Sequence, residues 1–309
     1  MLLIFFFVLS TLSFLSSSSG SWDFTAAVQA AKASDVAIVC IGGSAKGSFN
    51  GITHYDTTEK EGMDRKTITM PGLQLDLVKA LATQTTTPIV VVLINGGPLA
   101  IEWLVANPRV EAIVEAWYPG VDGGTAIMDV LFGNYAPAGK LPITFYHANY
   151  TDMIEESSMD MRSFPGRTHS FVQVPVLFPF GYGLSYTSWS YSKNILWNDQ
   201  TFTASLTVTN TGEVTSDHSI LLFTRYSVPR SQAFEFQNEF GVCPKQELVD
   251  FKRIHALKPG ESVDVSFLLD RSVFKLVDLS GEKRSVKGEW ELFVRKEGEE
   301  HSMVTVSVN

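Results

Sequence analysis

With 309 residues, 45% of them hydrophobic and 18% charged, the chain has the makings of about two folded domains and is too apolar for a disordered polypeptide. A net charge of -9, a pI near 5.2 and no cluster of Lys or Arg exclude a nucleic-acid polyanion as partner and suit a neutral ligand. Two cysteines, Cys40 and Cys243, give no disulfide framework.

The chain opens on MLLIFFFVLSTLSFLSSSSGSW. Its apolar run, Leu2 to about Leu15, falls short of the ~20 residues that span a bilayer, so no stable membrane span is expected. Small serines follow, and residues 1–20 read as a secretory leader, with a buried N-terminal element as the alternative. Cys40 lies in the apolar run DVAIVCIGG and reads as a buried, inert thiol. The one N-glycosylation triplet, Asn149-Tyr150-Thr151, matters if the chain is exported.

From residue 21 to 186 helix and strand patterns alternate. Thr25 to Ser34 is Ala-rich and helical, and DVAIVCIGG is a β-branched run closed by glycines, as for a strand buried on both faces. Pro71 to Gln84 reads as an amphipathic helix with Pro at its start. PIVVVLINGGP then reads as a second buried strand, AIEWLVANP as a helix, VEAIVEAWYPG as a third strand, and GGTAIMDVLFGN as a helix stopped by Gly133. Such alternation predicts an α/β domain, a mostly parallel sheet in an α/β/α sandwich, with ligands beyond the carboxyl ends of its strands.

The loops at that edge are unusual. GGSAKGSFNGITHYDTTEKEGMDR runs for more than twenty residues, where such connections usually take ~2–6. The INGGP and WYPGVDGG turns place glycines at the same edge, where backbone can approach a ligand closely.

From residue 187 to 309 the pattern changes to period two. FTASLTVTNTGEVTSDHSILLFTRYS, ESVDVSFLL, GEWELFVRK and HSMVTVSVN alternate apolar and polar residues between turn signals such as KPGE, predicting an antiparallel β-sandwich. No paired carboxylates, Ser-His-Asp order or metal-ligand spacing occurs there, and His218 and His255, each alone, read as surface residues.

The order EGMDR, MPGLQ, INGGP, WYPGVDGGTAIMDVLFGNYAPAGKLPITFY, MDMR, FPGRTHSF, FPFGYGLSYT and VTNTGE resembles the C-terminal half of glycoside hydrolase family three. It is most similar to the plant β-xylosidase / α-L-arabinofuranosidase branch, from about Trp22 to Asn309. His169 and Ser170 stand where that branch usually has Tyr and Arg, and Ser216 where Gly is common.

The resemblance implies a retaining exo-glycosidase whose site is divided between two domains. An Asp nucleophile comes from an N-terminal (β/α)8 barrel, and the acid/base Glu from a loop of the α/β sandwich, which a fibronectin type III-like domain follows. Glu61 matches the acid/base position, with Glu59 as the alternate. Asp64 and Arg65 would support that carboxyl at the substrate side of the loop. No metal or organic cofactor is implied.

Nothing in these residues encodes a barrel, so the resemblance implies half a site, inactive alone, with a barrel domain or protein partner completing it. The substrates implied are terminal β-D-xylosyl and α-L-arabinofuranosyl residues of cell-wall xylo-oligosaccharides or arabinoxylan fragments, and the place is the apoplast. A non-catalytic secreted protein that binds sugar or a partner is the other reading.

Overall fold

The computed structural model describes residues 4–8, 23–43, 48–49, 52–53, 65–155 and 157–308. The chain divides into two compact units, residues 1–128 with 146–152, and residues 129–145 with 153–309.

The first unit is built on a parallel sheet. Strands β1 (Ile4–Val8) and β2 (Val36–Gly42) follow one another around α1 (Thr25–Lys32), and the short pair β3 (Ser48–Phe49) and β4 (Ile52–Thr53) makes a separate hairpin. Helix α2 (Gln74–Gln84), β5 (Ile89–Ile94), α3 (Glu102–Ala106), β6 (Val110–Glu115) and α4 (Gly123–Leu131) complete the alternation. The order in space is β1-β2-β5-β6, with every pairing parallel.

The central strands are dry because their sequences carry no polar residue to expose. Ile38, Val39, Val91, Val92 and Leu93 are all buried, and Val28, Ala31, Leu77, Val78 and Leu81 from α1 and α2 are buried as well. Burial of a Val, Leu or Ile side chain stabilises by about 1.5–3 kcal/mol. The Cys40 thiol is half-buried rather than buried, and loss of hydration raises its pKa.

Two features mark the edges of this sheet. Ile4–Val8, inside the run read as a leader, pairs with Val36–Cys40 as a parallel edge strand. At the other edge, β6 exposes Glu111 and Ala112, because among the described residues no further strand covers it.

The second unit holds the sandwich. One sheet is β11 (Glu247–Leu257), β10 (Ser216–Tyr226), β15 (Gly288–Lys296) and β16 (Glu299–Val308), in that spatial order and antiparallel throughout. The other is β12 (Ser262–Leu268), β9 (Thr203–Asn210) and β7 (Trp189–Tyr191), with β8 (Leu196–Asn198) also on β9. A small hairpin of β13 (Lys275–Val277) and β14 (Lys283–Ser285), the turn α5 (Thr168–Phe171) and the helix α6 (Ala233–Phe240) lie outside these sheets.

Alternation decides what is inside. Along β9, Ala204, Leu206, Val208 and Asn210 are buried while their neighbours are not, and the apolar three meet Ile220, Leu222, Phe267, Trp290 and Leu292 in one core. Asn210, from the VTNTGE motif, is buried with its amide satisfied. Its Nδ2 donates to Val214 O at 2.8 Å and Leu257 O at 2.9 Å, and its Oδ1 accepts from Thr187 Oγ1 at 2.6 Å and Gly212 N at 3.2 Å. The glycine is required there, since a Cβ on Gly212 would lie 2.4 Å from Thr187 Oγ1.

His218 corrects the sequence reading. It is a core residue, only 3% exposed, stacked on Trp189 at 4.1 Å and bonded through Nε2 to Tyr191 OH at 2.7 Å. Burial, with Lys140 nearby, pushes its pKa down to about 3. His255 is exposed as expected and meets Asp217 at 3.3 Å.

Candidate functional site

The carboxyl ends of β2, β5 and β6 meet at one edge of the parallel sheet. At β2 the backbone turns through Gly42 at φ 152°, so close to β5 that a Cβ would sit 1.9 Å from Ile94 O. The start of α2 is latched to this turn through Gln74, whose Oε1 accepts Gly42 N at 2.7 Å and whose Nε2 donates to Gly42 O at 2.8 Å. Gly43 N then donates to Ile94 O at 3.0 Å. These bonds fix where the long loop leaves the sheet.

The return of that loop is fixed too. Arg65 Nη1 donates to Pro98 O at 3.1 Å, and Ala100 N donates to Ile68 O at 2.7 Å. Of the four residues assigned to the site from sequence, Arg65 is therefore placed beside the INGGP turn. Glu59, Glu61 and Asp64 lie outside the described residues.

Sequence reasoning marks the glycines of the next two turns and misses the polar pair between them. Asn95, fully buried at the end of β5, donates from Nδ2 to Gly97 O at 2.8 Å and to Glu115 Oε2 at 3.4 Å. Its Oδ1 is buried without a partner among the described residues. Glu115, at the end of β6, uses Oε1 to accept the Trp117 N–H at 3.2 Å, and Trp117 sits at φ 52°, a conformation that non-glycine residues rarely adopt. The signal for Glu115 is present in the sequence: it ends a strand pattern on an acidic residue, two positions before WYPG.

Beyond Trp117 the turn opens to solvent. Tyr118 is half-exposed, Gly120 takes φ 76°, and Gly123 begins α4 against Pro119, where a Cβ would lie 2.3 Å from the proline ring. The edge thus combines a carboxylate, a buried amide and backbone turns held in unusual conformations, the features that mark functional edges of such sheets. Among the described residues no three His, Cys, Asp or Glu side chains gather to hold a metal ion.

In the second unit, the FPFGYGLSYT segment is held by its own pairings. Leu141 N donates to Tyr182 O at 2.8 Å, Phe145 N to Phe178 O at 2.9 Å, and Lys140 Nζ to Gly183 O at 2.5 Å. His169, one of the departures from the plant pattern, stacks on Phe180 at 4.3 Å and is partly buried, which lowers its pKa. These contacts give His169 a packing role.

Comparison with known proteins agrees with this architecture. Residues 8–186 match the glycosyl hydrolase family 3 C-terminal domain, and residues 236–297 match a fibronectin type III-like domain. The chain is 36% identical over 271 residues to a protein named as a probable exo-1,4-beta-xylosidase of Aspergillus fumigatus, covering 80% of this chain and 32% of that protein. It is 30% identical over 314 residues to beta-D-xylosidase 1 of Arabidopsis thaliana, covering 89% of this chain and 38% of that one.

Among solved structures, it is similar to a family 3 exo-beta-xylosidase in complex with a xylobiose aziridine activity-based probe. The TM-score is 0.78 at 29% identity, covering 96% of this chain and 38% of that one. The family 3 beta-glucosidase of Bifidobacterium adolescentis superposes with a TM-score of 0.72 at 27% identity, covering 93% of this chain and 41% of that one. The chain therefore spans about a third of the length of the relatives it matches. With its parallel sheet, its sandwich and these matches together, the chain belongs to glycoside hydrolase family 3.

Proposed function

We propose that this chain carries the acid/base half of a retaining β-xylosidase site, for release of terminal β-D-xylosyl and α-L-arabinofuranosyl residues from xylan oligosaccharides outside the plant cell. The observation that supports it is the anchoring of the long loop at both ends. Gly42 is locked to Gln74, and Arg65 is tied to Pro98 O at the carboxyl edge of the sheet. A loop so held can present a carboxyl group outward. The similarity to proteins named as xylosidases supports the sugar class.

Glu61 is the acid in this reading, with Glu59 as the alternate, and Asp64 and Arg65 help to hold that carboxyl. The mechanism needs a second carboxylate about 5–5.5 Å away to attack the anomeric carbon. A (β/α)8 barrel supplies it. Glu61 first protonates the leaving oxygen and then takes a proton from water as the glycosyl-enzyme ester is cleaved. Without the barrel the chain lacks turnover.

The reading is tested by pairing the chain with such a barrel and following xylobiose hydrolysis with Glu61 intact and replaced by Gln. Hydrolysis that depends on the barrel but is indifferent to both Glu61 and Glu59 would overturn the assignment.

A further inference from the structure

The Asn149-Tyr150-Thr151 triplet takes no part in the site, yet the structure gives it a definite setting. It lies on the short helical turn Ala148–Asp152. The turn is tied to α3 by one bond and closed by two local ones: Ala148 N donates to Glu102 Oε1 at 3.1 Å, while Thr151 Oγ1 donates to Ala148 O at 3.1 Å and Tyr150 N to His147 O at 3.0 Å. Tyr150 is buried, with its ring stacked on Tyr146 at 3.9 Å.

Anchoring its neighbours inward leaves Asn149 outward. Its side chain is exposed, and among the described residues no hydrogen bond engages its amide. The contrast with Asn95 is direct, since that amide is buried and bonded to Gly97 O and Glu115. A large polar substituent on Asn149 Nδ2 displaces nothing from the core, and the turn that presents it stays intact.

We propose that Asn149 is an attachment site for an N-linked oligosaccharide, which rests on the export part of the reading above. The co-reactant is an oligosaccharide carried on a lipid diphosphate. The bond from the sugar anomeric carbon to the diphosphate oxygen breaks, a bond from that carbon to Asn149 Nδ2 forms, the amide loses one proton, and the lipid diphosphate leaves. The acceptor pattern with Thr two residues on is that of secreted surface loops. The glycan would then cover this face of the first unit and keep it in solvent.

The test is to express the full chain in a eukaryotic host behind a leader of proven secretion, and to map the Asn149 peptide before and after enzymatic removal of N-glycans. The expected result is a glycosylated Asn149, converted to Asp on glycan release. Asn149→Gln and Thr151→Ala should both abolish the modification, with the melting temperature of Asn149→Gln unchanged because its amide bonds nothing among the described residues. A secreted, folded chain whose Asn149 peptide is wholly unmodified would overturn the proposal, as would a glycan that survives in both variants. Because the leader is supplied, this failure is separate from failure of export, which is read by whether the chain's own first twenty residues direct a reporter out of the cell.

Discussion

Glu115 Oε1 accepts the Trp117 N–H at 3.2 Å while Trp117 stands at φ 52°, so a carboxylate at a strand end fixes a left-handed residue two positions on. The same carboxylate reaches Asn95 Nδ2 at 3.4 Å, and Asn95 is fully buried. Glu115→Ala removes an acceptor from both groups and should cost about 1–3 kcal/mol, the usual penalty for stranding buried polar groups. Glu115→Gln keeps one oxygen to accept the Trp117 N–H but turns an NH2 toward the Asn95 Nδ2 donor, so its loss should be smaller than that of Glu115→Ala without vanishing. Denaturant unfolding followed by tryptophan fluorescence distinguishes them, and equal losses in the two variants would count against the role given to Glu115.

Gly42 should tolerate no side chain. A Cβ there would lie 1.9 Å from Ile94 O and 2.8 Å from Ile94 N, backbone atoms of the adjoining strand that cannot move without breaking the pairing of β2 with β5. Gly42→Ala is expected to destabilise the first unit by more than about 3 kcal/mol. Loss of protection for the amides of residues 89–94 in hydrogen exchange is the readout.

Asp217 gathers donors from Tyr135 and from three residues of β11. It accepts from Tyr135 OH at 2.9 Å, Arg253 Nη2 at 2.8 Å, His255 Nδ1 at 3.3 Å and Ala256 N at 2.9 Å. Burial alone would raise its pKa, but the bonds from Ala256, Arg253 and Tyr135 outweigh it and hold the carboxyl well below the usual range. The stability it contributes is present above the unfolded value of about 3.9 and is lost as pH falls below it. Asp217→Asn should lower stability by about 1–3 kcal/mol at neutral pH and by progressively less in acid, seen as convergence of the two melting curves.

His218 works in a higher pH window. Folded, its pKa is pushed down to about 3, so it stays neutral while the unfolded chain takes up a proton below about 6.5. Stability is therefore full above that pH and falls as the solution is acidified, by about 2 kcal/mol between pH 6.5 and 5. His218→Gln should be less stable at pH 7, where the stacking on Trp189 is lost, yet show a shallower decline toward pH 5. An unchanged slope in melting temperature against pH would contradict the buried, neutral state.

The two sheets are legible because their sequences leave little choice. VAIVCIG and IVVVLI have no polar residue to put outside, and TASLTVTN alternates without a break. The position of His218 is legible in principle, since it shares parity with Ile220 and Leu222 on the buried face of β10, but a lone histidine judged by residue type instead of register reads as surface. Ile4–Val8 is harder, because an apolar run of that length serves equally as a leader or as a strand. Helix α6, between β10 and β11, carries Phe236 and Phe240 inward and Phe234 outward, and its AFEFQNEF pattern is too short for a helical period to show.

The site divides along the same line. Glycines announce the turns at the carboxyl edge, as in INGGP and WYPG, because backbone conformation leaves a mark on sequence. Glu115 stands out as an acidic strand end, but its pairing with Asn95 leaves no mark, since it joins two strands across twenty positions of the chain. The assignment of Glu61 rests on the motif before GMDR, and its position lies outside the described residues.

In the proposed function Glu61 is the proton donor to the leaving group, in a site completed by a barrel. The most direct measurement joins the barrel of a family 3 β-xylosidase to this chain and compares xylobiose with 4-nitrophenyl β-D-xyloside for the parent, Glu61→Gln and Glu59→Gln. Loss of the acid should slow xylobiose by about 10²–10⁴-fold, and should affect the nitrophenyl substrate far less, because its leaving group needs no proton. That split is expected for Glu61→Gln alone. Equal losses on both substrates, or the split appearing in Glu59→Gln instead, would contradict it.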